Sequence, residues 1–116
     1  LLAAFHTMLS ASKDERVIGI TTSVATAPRA YWGAYAASKA AGEVLLECYA
    51  EETRNTTSIR VALVNPGATR TAMRARAYPG EDPATLKTPE VVAERLVTLF
   101  GERFDSGWHE SINQSR

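Results

Sequence analysis

Tyr35 and Lys39 stand four residues apart in the run Tyr35-Ala36-Ala37-Ser38-Lys39. A helix turns once per about 3.6 residues, so positions i and i+4 share a face and two such side chains can act on one ligand. A phenol by itself keeps its proton to well above neutrality. An ammonium one turn away favours the phenolate, and the pair then suits proton exchange with an oxygen whose charge changes during a reaction. A carbonyl that gains negative charge is such an oxygen. Taken alone, a Tyr and a Lys at this spacing are more often a surface pair, so the chemistry depends on what the neighbouring elements bring beside them.

Those elements read as alternating helices and strands. Leu1, Leu2, Phe5, Met8 and Leu9 fall at helical spacing with no capping residue ahead, so the chain opens inside a helix. Residues 10–16 are polar and loop-like, and residues 17–21 (Val-Ile-Gly-Ile-Thr) form the short β-branched run of a buried parallel strand. A loop over 22–31 leads to an Ala-, Glu- and Leu-rich segment from Gly33 to Arg54, which has no Pro and predicts a long helix. Residues 59–64 predict a second buried strand, ended by Asn65-Pro66-Gly67. Residues 68–87 hold Arg70, Arg74, Arg76, Pro79, Gly80 and Pro83, a composition suited to a mobile, partly helical excursion with solvated arginines. Thr88 as a cap and Pro89 in the first turn restart order, and Val91, Val92, Leu96, Leu99 and Phe100 form the stripe of a surface helix ending at Gly101. Asp105 to Arg116 carries weak alternation around Trp108 and Ile112 and fits a final edge strand. The pattern is α/β with a parallel sheet, whose ligands gather at the carboxyl ends of the strands. Both polar clusters, Thr22-Ser23 and Asn65 through Thr71, fall there.

Composition narrows the function. The 116 residues are 45% apolar and 22% charged, with 13 basic and 13 acidic side chains. A formal charge of zero gives no general attraction to nucleic acid or an anionic membrane. No apolar run approaches the roughly 20 residues that cross a bilayer. The single Cys48 cannot close an intrachain disulfide and sits among apolar neighbours, which predicts a small core residue in a reducing compartment; the cytoplasm is the expected location. His6 and His109 lie far apart without clustered cysteines or carboxylates, so no metal site is expected. Arg70, Arg74 and Arg76 could grip a phosphate on a carrier, and Trp32, Met73 and Tyr78 could line a pocket, although aromatic and Met side chains equally fill a seam between loop and helix.

Three motifs in order resemble the short-chain dehydrogenases/reductases: Tyr35 through Lys39 as Tyr-x-x-x-Lys, a Ser-containing strand end in Thr21-Thr22-Ser23-Val24, and Pro66-Gly67 followed by Thr71 in Asn65-Pro66-Gly67-Ala68-Thr69-Arg70-Thr71. The wording Trp32-Gly33-Ala34-Tyr35 and Thr69-Arg70-Thr71-Ala72-Met73-Arg74 is most similar to the YciK-type bacterial branch, near the ketoacyl reductases. The resemblance spans nearly the whole chain and implies a Rossmann-like fold and an NAD- or NADP-dependent oxidoreductase acting on a small ketone or secondary alcohol. It further implies that Tyr35 is the general acid or base, with Lys39 as its partner and a donor to the nicotinamide ribose. Ser23 would bind the substrate oxygen, with Thr22 as a rival for that role. Pro66 and Gly67 would let the backbone approach the nicotinamide, while Thr69 and Thr71 would engage its carboxamide.

Equally informative is what the 116 residues lack. No Gly-x-x-x-Gly-x-Gly or Gly-x-Gly-x-x-Gly turn is present to hold a pyrophosphate. Residues 1–116 therefore read as a single partial domain, the back half of such a reductase. Strand 17–21, without an upstream neighbour, would leave open backbone groups, which predicts a homo-oligomer or an aggregation-prone chain, with helix 33–54 as the contact the family implies. The alternative is a non-catalytic remnant that serves only as a folded or dimerising fragment.

Overall fold

The computed structural model describes residues 1–112. Its elements run α1 (Leu2–Ala11), β1 (Arg16–Ile20), α2 (Gly33–Thr53), β2 (Arg60–Asn65), α3 (Ala72–Ala77), α4 (Pro89–Gly101) and β3 (Trp108–Ser111), with short 3-10 turns at Ser23–Ala25 and Pro83–Thr85. The three strands form one sheet in the order β1-β2-β3, both pairings parallel. Parallel neighbours need a crossover, and here α2 links β1 to β2 while the excursion and α4 link β2 to β3. This is the α/β, Rossmann-like parallel arrangement that the sequence predicts.

β2 is the central strand, and its composition explains why. Val61, Ala62, Leu63 and Val64 alternate between the two faces of the sheet and are all buried, so an uninterrupted apolar run is what the position demands. Register pairs Val17 with Val61 and Ile20 with Val64 on one side, and Ala62 with Trp108 and Asn65 with Ser111 on the other. β1 is only half-buried and Ile20 is exposed at its end. Among the described residues its outer edge pairs with no strand.

β1 begins one residue earlier than the apolar pattern indicates, because Arg16 is satisfied inside the structure. Its guanidinium donates to the Glu102 carbonyl at 2.9 Å and pairs with Asp14 at 2.7 Å, leaving the side chain 3% exposed. α2 packs on the sheet through Leu46, which lies so close to Gly19 that a β-carbon there would collide with it. Tyr49 and Ala50 join Ile59 and Val61 in a core cluster, and Leu2 and Leu9 of α1 pack against it. His6 bonds the Tyr49 hydroxyl at 2.8 Å, and His109 pairs with Glu47 at 3.0 Å, so each histidine ties an element to α2. At the far edge, Arg95 of α4 grips Glu110 of β3 with contacts of 2.7 and 2.6 Å and also pairs with Glu102.

Three expectations need correction. Cys48 is exposed rather than a core residue: α2 turns Ala36, Tyr49, Ala50 and Thr53 inward, and Cys48 falls on another face. Arg74 is a half-buried ion-pair partner rather than a solvated loop charge, whereas Arg70 is exposed as expected and is engaged with backbone carbonyls. Arg74 forms a bidentate pair with Glu81 at 2.8 and 2.9 Å, and Arg70 donates to the Pro83 carbonyl at 2.9 Å, so both stitch the excursion together. Thr88 holds the N-cap position of α4 but makes no capping hydrogen bond with its side chain. The final strand is present as β3, and the rest of that expectation, residues 113–116, lies outside the described residues. No helix among the described residues is long and apolar enough to cross a membrane.

Candidate active site

The carboxyl ends of β1 and β2 open on one cleft of about 450 Å³. Three segments wall it. The strand end after β1 contributes Thr22 and Ser23, α2 contributes Tyr35 and Lys39, and the segment after β2 contributes Pro66, Gly67, Thr69 and Thr71. Every residue that the sequence singles out for the site therefore lines the same space, including both rival hydroxyls at 22 and 23.

Each is positioned by its local structure. β1 ends at Ile20, and Thr21 keeps contact with the sheet through its N–H to the Val64 carbonyl at 2.9 Å while its hydroxyl donates to Glu43 of α2. The chain then tightens into the 3-10 turn that begins at Ser23. Tyr35 sits in the first turn of α2, held edge-on to Trp32 with ring centroids 5.7 Å apart. Lys39 follows one turn later on the same helix. Neither the Tyr35 hydroxyl nor the Lys39 ammonium has a hydrogen-bond or ion-pair partner among the described residues. Two polar groups without partners thus face one cleft from one helix.

The wall contributed by the segment after β2 depends on Gly67. Its φ of +67° lies in the left-handed region, and its N–H donates to the Asn65 side-chain oxygen at 2.9 Å. Beneath it lies Lys87, which the sequence did not single out. Lys87 is 8% exposed and donates from Nζ to the Ala68 carbonyl at 2.9 Å, while its own carbonyl accepts from Arg70 N–H at 2.9 Å. Burial, with the Arg74 charge adding to it, pushes the Lys87 ammonium below its ordinary range. The lysine thereby fastens the far end of the excursion to the turn that faces the cleft. No local pattern marks it, since its partner is 19 residues away.

Thr69 and Thr71 are partly committed. Thr69 donates its hydroxyl to the Gly67 carbonyl at 3.2 Å, which leaves oxygen lone pairs free. Thr71 caps α3 by accepting from the Arg74 N–H at 3.1 Å, which leaves its hydroxyl proton free to donate. The two therefore present one acceptor and one donor, the complement of a primary carboxamide.

The outer rim is aromatic. Trp32 and Tyr78 face each other with ring centroids 6.0 Å apart, Arg29 donates to the Tyr78 hydroxyl at 2.8 Å, and the Arg74 guanidinium lies 3.8 Å from the Tyr78 ring centroid. Trp32, Met73 and Tyr78 all line the cleft. Arg74 keeps its pair with Glu81, whose carboxyl it holds below the usual carboxylate range.

Comparison with known proteins matches this architecture. The short chain dehydrogenase family profile covers residues 1–82. The chain is 42% identical over 102 residues to the Escherichia coli K12 oxidoreductase YciK, covering 88% of this chain and 40% of that protein. A short-chain dehydrogenase from Escherichia coli CFT073, solved in complex with NADPH, superposes with a TM-score of 0.90 at 39% identity over 98% of this chain and 48% of its own. One from Shigella flexneri 2a, solved in complex with NADP, gives a TM-score of 0.88 at 39% identity over 97% of this chain and 47% of its own. The chain spans less than half the length of each of these three relatives. With strand ends, Tyr-x-x-x-Lys helix and Pro-Gly turn gathered on one cleft and the family profile covering most of its residues, the chain belongs to the short-chain dehydrogenase family.

Proposed function

We propose that these residues form the catalytic, carboxyl-terminal half of an NAD- or NADP-dependent oxidoreductase that interconverts a ketone and a secondary alcohol. The observation that carries this reading is the pair of unpartnered groups, the Tyr35 hydroxyl and the Lys39 ammonium, on one face of α2 and open to one cleft. A bound nicotinamide would supply or accept the hydride. Tyr35 would give its proton to the carbonyl oxygen in reduction and take it back in oxidation. Lys39 would stabilise the phenolate and donate to the ribose hydroxyls. Ser23 would donate to the substrate oxygen and hold it beside Tyr35, with Thr22 one residue away as the rival.

The nicotinamide end of a dinucleotide suits the residues present. Gly67 brings backbone to the cleft without a side chain, and Thr69 and Thr71 offer an acceptor and a donor to a carboxamide. The pyrophosphate end would rely on a glycine-rich turn, which the 116 residues do not contain. The titratable and polar groups present are thus those of the reacting end, and they leave NAD and NADP equally served.

A second reading is favoured by the surface of α2. Val44 and Leu45 are 56% and 65% exposed on it, and the outer edge of β1 is open among the described residues. Both features suit self-association through helix 33–54, and a fragment could retain that property without catalysis. Titration with NADPH and NADH, followed by nicotinamide fluorescence, tests the first reading in a complete enzyme that supplies the glycine-rich turn. Saturable binding that Lys39→Met weakens is expected. Binding that Lys39→Met leaves unchanged would refute the placement of the nicotinamide at this cleft.

A further inference from the structure

We propose that Arg29, with the aromatic rim of Trp32 and Tyr78, forms an anion-holding subsite, so that the substrate is a carbonyl compound with an apolar or aromatic body and an acidic group. The inference rests on the reading above for where the reacting oxygen lies. Arg29, Lys39 and Arg74 all line the cleft, and none of its lining residues is an Asp or a Glu. The three cations are not equivalent. Arg74 is neutralised by its bidentate pair with Glu81. Lys39 lies one turn beyond Tyr35 toward the middle of α2. Arg29 makes no ion pair among the described residues, and only one of its N–H groups is engaged, with the neutral Tyr78 hydroxyl.

Position along α2 separates the two unpaired cations by role. Lys39 is about 6 Å along the axis on one side of Tyr35, and Trp32 is about 4.5 Å on the other, from a rise of about 1.5 Å per residue. The Trp32 N–H donates to the Arg29 carbonyl at 3.2 Å, so Arg29 belongs to the Trp32 side. A molecule whose oxygen meets Tyr35 would therefore extend away from Lys39, pack its body against the rim that Trp32 and Tyr78 form together, and present its far end to Arg29. A guanidinium with free N–H groups in a plane recognises a carboxylate or a phosphate, and the cleft's lack of carboxylates leaves an incoming anion unopposed. Neutral ketones would lose this contact.

The test needs no dinucleotide, so its failure and that of the oxidoreductase reading are separable. Trp32 reports on the rim: the chain is titrated with phenylglyoxylate, phenyl phosphate and neutral acetophenone while tryptophan fluorescence is followed, with a Trp32→Phe chain giving the Trp108 background. We expect saturable quenching by at least one of the two anions, about tenfold tighter than by acetophenone, with the tighter anion identifying carboxylate or phosphate as the group held. Arg29→Gln should weaken that anion about tenfold, and Arg29→Lys, which keeps the charge but not the fork, should fall between. Acetophenone binding as tightly as the anions, an unchanged Arg29→Gln, a loss confined to Lys39→Gln, or no saturation by either anion up to tens of millimolar would each overturn the proposal.

Discussion

Replacing Gly67 by Ala should destabilise the chain and do so through the wall of the candidate site. Gly67 has φ at +67°, where an L side chain costs about 1–2 kcal/mol. An added β-carbon would also stand 3.0 Å from the Lys87 ammonium nitrogen and 3.2 Å from the Ile112 carbonyl oxygen. The lysine tip can move, but only by loosening its 2.9 Å bond to the Ala68 carbonyl, whereas the Ile112 oxygen is backbone, held by that residue's N–H bond to Asn65. Alanine also restricts the unfolded chain, which returns about 0.4–1 kcal/mol. The net expectation is a loss of about 1–2 kcal/mol, read as a lowered urea midpoint at unchanged slope. Gly80 supplies the control, because a β-carbon there meets nothing within 4 Å and its φ is not in the left-handed region. Gly80→Ala should therefore raise stability by about 0.4–1 kcal/mol. Lys87→Met should relieve one of the two Gly67→Ala contacts, so the double variant should lose less than the sum of the singles. A Gly67→Ala chain as stable as Gly80→Ala would refute the reasoning.

Further expectations concern chemistry, pH and assembly. In the complete enzyme, Tyr35→Phe should lower turnover by roughly 10²- to 10⁴-fold with substrate binding largely kept, and near-normal turnover would remove Tyr35 from the general-acid role. Arg95 holds the Glu110 carboxyl below the usual carboxylate range, so the folded value lies under the unfolded one. That contribution is fully present above the unfolded value, near 4.5, and is lost as pH falls through the folded value. Thermal melts across that acid range should show a decline that Arg95→Met flattens, with Arg95→Met itself costing about 1–3 kcal/mol near neutrality; parallel curves would contradict the assignment. Leu45→Glu should weaken any self-association by roughly tenfold to a hundredfold, measured by sedimentation against concentration, and an unchanged profile would exclude α2 as the contact.

What the sequence reveals and hides follows from the range of the interactions involved. Tyr35 and Lys39 are legible because a helix converts a spacing of four into a shared face without help from the rest of the chain. β2 is legible because a strand buried on both faces must be apolar without interruption, and Val61 through Val64 comply. Cys48 misleads for the complementary reason: it follows the apolar run Val44-Leu45-Leu46, yet α2 buries Ala50 and Thr53 and leaves Val44, Leu45 and Cys48 outside. Apolar composition alone does not say which face of a helix meets the sheet. The excursion hides most, because its order comes from contacts that skip along the chain. Arg74 reaches Glu81, Arg70 reaches Pro83, and Lys87 returns 19 residues to Ala68. Each of these side chains, read singly, is an ordinary solvated charge. Together they hold the turn at Gly67, so the shape of a cleft wall whose own residues the sequence marks depends on partners whose types announce nothing.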